Sequence, residues 1–260
     1  MNPSDEFYIG WEAKAAPGIR RITKCAVGLL LLVGLGAAAT LAISQRLVGT
    51  SVFEWGKTKN FTGILKVEPY AHLLVTRPGQ SADLPSFSSY YLVAPWKFGL
   101  PKDRLAGFDS KPVSLKGTLI YRESQTMIEV RPDSITVTSE TNLAPRISNL
   151  SSLDTRHSSP VTLRGEIVDS KCFLGVMNPG QLTPHRACAI RCISGGVPPV
   201  LLVRPKGEPA KYFLLVSADG KPINKQVLDL VAEPVEITGQ LERQGDLTIL
   251  RADPKTYRKL

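Results

Sequence analysis

Residues 25–44, CAVGLLLLVGLGAAATLAIS, carry no charged side chain, and this run constrains the chain more than any other. About 20 apolar residues wound as a helix span the roughly 30 Å hydrocarbon core of a bilayer, where each peptide group must find its partner within the segment. Gly28, Gly34, Gly36 and Ala37 to Ala39 are small residues of the kind that membrane helices tolerate. Arg20, Arg21 and Lys24 stand just before the run, and Arg46 is the only charge just after it. The positive-inside rule therefore puts residues 1–24 in the cytoplasm and everything beyond the span outside it. A signal peptide cleaved near Ala37-Ala38-Ala39 is the competing reading, and it too leaves the remaining chain exported. Arg20-Arg21 does not complete a twin-arginine signal, because Thr23 and Lys24 fill positions that such a signal gives to apolar residues. Cys25, at the edge of the span, reads as a packing residue.

Charge adds little. A formal net charge of +9 invites a nucleic-acid reading, but the basic residues are scattered, with no long Lys/Arg run and no basic amphipathic helix. With 20 Pro, 21 Gly and only 7% aromatic residues, the exported part favours turns and short strands over a helical bundle.

After a stalk at 45–60, apolar or alternating runs bounded by turn residues follow one another. Strands are predicted at 61–68, 72–76, 90–94, 113–121 and 126–137, with room for one short helix within 96–110. From Pro160 the same order recurs at 161–168, 200–204, 212–217, 235–242 and 247–252, with a short helical segment at 224–231. The recurrence is visible in letters: Pro112-Val113-Ser114-Leu115-Lys116-Gly117-Thr118-Leu119 parallels Pro234-Val235-Glu236-Ile237-Thr238-Gly239-Gln240-Leu241. Phe61-Thr62-Gly63-Ile64 parallels Leu163-Arg164-Gly165-Glu166-Ile167 more loosely. Glycine inside a strand marks a bulge or sharp bend, which a small barrel needs in order to close. Five short strands with a helix between the third and fourth is the order of an OB-type barrel. The expected fold class is thus mainly β: one transmembrane helix at 25–44, a first OB-like module at 61–138, a linker at 139–160, and a second OB-like module at 161–260. Such barrels often bind oligonucleotides, and Tyr90, Tyr91, Trp96 and Phe98 could form a stacking platform. An exported module meets no nucleic acid, and the same four residues serve equally well as core and rim.

The second module alone carries a long connection between its first two strands, a Cys/His insertion at 169–197. Its counterpart in the first module is only Pro69-Tyr70-Ala71. Three of the four cysteines and one of the three histidines lie here. Thr183-Pro184 reads as an N-cap followed by proline at the first helical position, and Gly195-Gly196 as the stop. On the intervening helix, 185–193, His185, Cys188 and Cys192 share one face through spacings of three and four. Cys172 can fold over that face from the loop that leaves the first strand.

Three readings of this C-x12-H-x2-C-x3-C pattern stay open. Cys172, His185, Cys188 and Cys192 can ligate zinc, copper(I) or an iron–sulfur cluster, since thiolates and imidazole suit soft or borderline ions. Alternatively Cys172 is disulfide-bridged to Cys188 or Cys192, pinning the insertion and leaving one thiol over. Third, a helix N-terminus and His185 could depress a cysteine pKa for thiol–disulfide redox chemistry, although C-x-x-x-C is not the usual spacing. Met177 is a minor copper candidate. His72 and His157 are expected on surfaces or loops. Asp169 is expected to accept a backbone hydrogen bond at the strand end, with Lys171 a feature of the same turn.

The segments Gly165-Glu166-Ile167-Val168-Asp169-Ser170-Lys171-Cys172, His185-Arg186-Ala187-Cys188-Ala189 and Arg191-Cys192-Ile193-Ser194-Gly195-Gly196-Val197-Pro198-Pro199 carry a resemblance. They are similar to a family of bacterial exported or membrane-anchored proteins with a D-x-K-C…H-x-x-C-A-x-x-C-x-x-G-G-x-P signature. The resemblance covers the second module and brings no activity with it. It implies a bacterial envelope setting and a joint role for Cys172, His185, Cys188 and Cys192. The resulting expectation is a single-pass protein of the bacterial inner membrane with periplasmic modules. It would bind a metal without being an enzyme and would serve a membrane redox partner.

Overall fold

The computed structural model describes residues 14–45, 51–77, 87–139, 154–156 and 159–260. His157 and most of the 139–160 linker lie outside them. Helix α1, Pro17–Gln45, opens on a proline, which lacks the N–H that a first helical turn leaves unpaired anyway. Within it the Thr40 hydroxyl donates to the Gly36 carbonyl at 2.8 Å and Ser44 to Leu41 at 2.8 Å, so these two hydroxyls are satisfied by the helix itself. Residues 17–44 are long and apolar enough to cross a membrane, a description that also fits a signal sequence.

Residues 50–260 form one unit that contains two closed five-stranded barrels. Barrel one is built from β1 (Ser51–Phe53), β2 (Lys59–Lys66), β3 (His72–Thr76), β4 (Phe87–Val93), the one-turn α2 (Lys102–Leu105), β5 (Pro112–Arg122), β6 (Gln125–Val130) and β7 (Thr136–Val137). Barrel two follows with β8 (Asp154–Arg156), β9 (Val161–Asp169), α3 (Arg186–Ser194), β10 (Pro199–Val203), β11 (Lys211–Val216), β12 (Pro234–Gln244), β13 (Leu247–Arg251) and β14 (Arg258–Lys259). Barrel one closes in the order β5-β2-β3-β4-β6-β5, and barrel two in the order β12-β9-β10-β11-β13-β12. In both, the third and fifth strands of the closed set run parallel.

The correspondence extends to register. Gly63 faces Val113 as Gly165 faces Val235, Thr118 faces Glu129 as Gln240 faces Arg251, and Tyr91 faces Met127 as Leu214 faces Ile249. Even the flanking strands match, with Ser51 opposite Arg122 and Asp154 opposite Gln244. Gly117 and Gly239 show why the letters recur. A Cβ on Gly117 would stand 2.7 Å from the Glu129 carbonyl oxygen, and one on Gly239 would stand 2.8 Å from the Ala252 Cβ. The neighbouring strand passes too close for any other residue.

Three apolar cores result. Leu65, Leu73, Leu92, Val113, Leu115, Ile128 and Val130 fill barrel one. Ile167, Leu201, Phe213, Leu215, Val235, Ile237 and Leu250 fill barrel two. The third core is the seam between the barrels, where Tyr91, Val93, Ile120 and Met127 meet Val200, Leu202, Leu214, Val216 and Ile249. Alternate residues of β4, β6, β10, β11 and β13 thus enter either a barrel or the seam. This is why these strands read as continuous apolar runs rather than half-polar ones.

Several expectations need correction. The strand predicted over 126–137 stops at Val130, because Pro132 has no N–H to give the ladder, and a 3-10 turn at Pro132–Ser134 separates it from β7. Residues 224–231 form two 3-10 turns, Asn224–Gln226 and Leu228–Leu230, rather than one helix. Ser51–Phe53, read as stalk, pairs with β5, and Asp154–Arg156, read as linker, pairs with β12. Tyr91 is buried in the seam and Tyr90 packs on the barrel-one core, whereas Trp96 and Phe98 are exposed. The four aromatics therefore do not form one stacking surface.

Candidate metal centre

The connection from β9 to β10 leaves the end of β9 through a helical turn. Asp169, fully buried, accepts from the backbone N–H of Cys172 through Oδ1 at 2.7 Å, which caps that turn as expected from sequence. Cys172–Val176 then forms a wide turn closed by Met177 N–H to the Cys172 carbonyl at 3.2 Å. The turn drives Phe173 and Leu174 into the seam core. The chain returns through Leu182, whose N–H donates to the buried Glu166 carboxylate, and a 3-10 turn at Thr183–His185 leads into α3. Thr183 does not cap α3: the residue before the 3-10 turn is Leu182, in a left-handed conformation at φ 66°, and no side chain caps either helical segment. At the other end Gly196 (φ 100°) takes the chain out, as predicted, and the Asn224 amide donates to the carbonyls of Ile193 (2.8 Å) and Val197 (2.9 Å).

These elements bring the predicted residues into two groups that share Cys172, with His185 and Cys188 in one and Cys192 in the other, and no single group holds all four. Cys172 Sγ lies 3.9 Å from Cys188 Sγ and 3.8 Å from Cys192 Sγ. Donor atoms of Cys172, His185 and Cys188 all fall within 4.8 Å of one another, as do those of Asp169, Cys172 and Cys192. All four cysteines are free thiols, so neither bridge open to Cys172 is formed. Metal–sulfur bonds of about 2.3 Å in a tetrahedron place sulfurs about 3.8 Å apart, whereas a disulfide needs about 2.05 Å. Thiols in simple contact also sit near 3.8 Å, so the spacing counts only because two cysteines and a histidine converge on one sulfur.

His185 is buried, and its Nε2 lies 2.9 Å from Asp169 Oδ2. A carboxylate only accepts, so Nε2 is the nitrogen that donates to Asp169. A carboxylate behind an imidazole is the arrangement that orients metal-binding histidines. Among the thiols, the hydrogen bond to Cys192 and burial push the Cys172 thiol up. The same hydrogen bond from Cys172, with Lys97 nearby, brings Cys192 below its ordinary value. The arrangement can hold a thiophilic ion through sulfur and one imidazole, with a carboxylate at its edge.

Three residues carry more than the sequence suggested. Asp169 both caps Cys172 and holds His185. Lys171 is 1% exposed, and its Nζ reaches barrel one, donating to the carbonyls of Ala94 (2.9 Å) and Trp96 (2.6 Å) and pairing with Glu129 at 2.6 Å. Lys97, with no signal of its own in the sequence, points its ammonium at Cys188. The D-x-K-C spelling was the only trace that could have flagged the first two. Met177 is exposed. His72, expected on a surface, is buried at the start of β3 with Nδ1 against the Tyr70 carbonyl at 2.9 Å. Cys25 is exposed on α1.

Comparison of the chain with protein-family models, with curated proteins and with solved structures gives no match.

Proposed function

We propose that this is an extracytoplasmic protein of the bacterial inner membrane, anchored through α1 with its N-terminus in the cytoplasm, that holds a metal ion or cluster through Cys172, His185, Cys188 and Cys192. The observation that carries the reading is the convergence of Cys188, Cys192 and His185 on Cys172, with Asp169 bonded to the imidazole from behind. Three sulfurs and one nitrogen suit zinc, copper(I) or an iron–sulfur cluster. We read the barrels as two copies of an OB-type module, because strand order and register agree throughout, and the β9–β10 connection as an insertion into the second copy. We read the role as that of a metal-bearing accessory to a membrane redox system rather than an enzyme, with the Asp169–His185 pair serving to orient a metal-binding imidazole.

Metal analysis and thiol counting on the full chain purified in detergent under anaerobic conditions test the reading. One equivalent of bound metal, with Cys172, Cys188 and Cys192 unreactive until it is chelated, supports it. A metal-free protein with one disulfide and one reactive thiol beyond the membrane, unchanged by His185→Ala, overturns it in favour of a disulfide-pinned interaction module.

A further inference from the structure

Of the three sulfurs, those of Cys172 and Cys192 are buried and that of Cys188 is only half-buried, so Cys188 is the side from which solvent reaches the cluster. Barrel one covers that side. Lys97 Nζ stands 2.7 Å from Cys188 Sγ and 4.0 Å from Cys192 Sγ, across the seam and far away in sequence.

A long exposed lysine can touch a neighbour by chance, but the backbone that carries this one is fixed on several sides. The turn closes through Ala94 N–H to the Phe98 carbonyl at 3.0 Å. The buried Lys171 ammonium grips the carbonyls of Ala94 and Trp96 from within. Gly99 N–H donates to the Gly195 carbonyl at 3.0 Å, and a Cβ on Gly195 would collide with the Lys97 carbonyl oxygen. Trp96 adopts a left-handed φ of 64° to make the turn, a conformation that costs a bulky residue and persists only where its surroundings impose it. Barrel two thus holds the Lys97 backbone with the same segment that supplies the cysteines.

We infer that Lys97 is a positioning residue of the metal centre: its ammonium donates to the Cys188 sulfur, holds that ligand in place and offsets the thiolate charge. The inference rests on the metal reading above. Three thiolates, one neutral imidazole and a divalent ion sum to a net charge of −1, which a cation at hydrogen-bond distance compensates. Partners that hold a metal ligand from behind typically change affinity by about 10–100-fold when removed. Barrel one would then serve as the cover of barrel two's site, with metal exchange starting at Cys188.

Cobalt(II) loaded into the full chain in detergent, without oxygen, separates the possibilities. Lys97→Met keeps most of the length of the side chain and removes its charge. It should still bind cobalt, but with the thiolate-to-cobalt absorption moved to lower energy and metal loss to excess EDTA about 10–100-fold faster. Lys97→Arg should restore both. A purely structural role for the turn would speed release in both variants without moving the absorption band, and would overturn the inference. So would a Lys97→Met protein with the band and release rate of the wild type. If the wild-type chain takes up no cobalt, the metal reading falls first and the inference with it, whereas normal loading with an unaltered Lys97→Met spectrum removes this inference alone.

Discussion

Barrel one and barrel two pair their strands in the same register, yet they differ in the piece that joins the first two strands. In barrel one residues 67–71 make a short return. In barrel two residues 170–198 leave the sheet, build a turn and a helix, and carry every thiol found beyond α1. The contrast shows how much a small barrel tolerates at a strand end. Because the ladder between β9 and β10 is complete without it, with Val200 opposite Val168 just as His72 lies opposite Lys66, the long connection costs barrel two no strand pairing. It also makes the two barrels unequal partners. Phe173 and Leu174 fill the seam, Lys171 reaches through it, and Lys97 answers from the other side.

The largest expected effect comes from cutting that joint. Lys171→Met leaves the Glu129 carboxylate, the buried Ala94 carbonyl and the part-buried Trp96 carbonyl without this donor, and should lower unfolding free energy by about 3 kcal/mol in urea titrations. A loss under about 1 kcal/mol would mean that the apolar seam alone holds the barrels together.

A smaller change tests the likeness itself. Gly117→Ala and Gly239→Ala each push a methyl into the adjacent strand, and each should cost about 2 kcal/mol. Unequal costs, one near zero, would show that the two strand crossings are not equivalent despite their shared register.

Trp96→Gly should act in the opposite direction. Relief of the left-handed backbone at an 82% exposed side chain should stabilise the protein by about 1 kcal/mol, seen as a higher thermal midpoint. Destabilisation would mean that the indole makes contacts that matter more than the strain.

The smallest effect is one of pH, and it belongs to barrel one alone, because Val200 holds the position that matches His72. Burial lowers the His72 pKa below its ordinary 6.5, so the folded ring stays neutral where the unfolded one is already protonated. The unfolded chain binds the extra proton, and stability must fall as pH drops below about 6.5 until the folded pKa is passed. Above pH 6.5 the ring is neutral in both states and adds no slope. His72→Val should flatten this part of the stability profile, and an unchanged slope would assign it to other groups.

Much of this architecture is legible in residues. The uncharged run at 25–44, the alternating strands and the paired glycines are local patterns with local causes, so strand order could be read from them. The pairing of Cys188 and Cys192 on α3 follows from helical spacing, and Cys172 from its place at the end of β9, whereas His185, expected on the same helix, sits in the 3-10 turn before it. Where the reading failed, a distant partner had decided the outcome. Thr183 has the right chemistry for a cap, but the chain enters α3 through a 3-10 turn after a left-handed Leu182 whose N–H is taken by Glu166. Lys171 looks like a turn residue until Ala94, Trp96 and Glu129 surround its ammonium. His72 looks like a surface histidine until the seam and barrel one enclose it.

The sequence by itself determined an apolar helix, two runs of five strands and a cysteine–histidine segment in one of them, because those depend on period, length and spacing along the chain. Only the tertiary structure decided that the barrels share a third core, that Asp169 stands behind His185, and that a lysine from the other barrel reaches Cys188. The shared core and the lysine contact are meetings of residues far apart in sequence, fixed by closure of the barrels and burial of the seam, and the Asp169–His185 bond is made when the β9–β10 connection folds back on the end of β9.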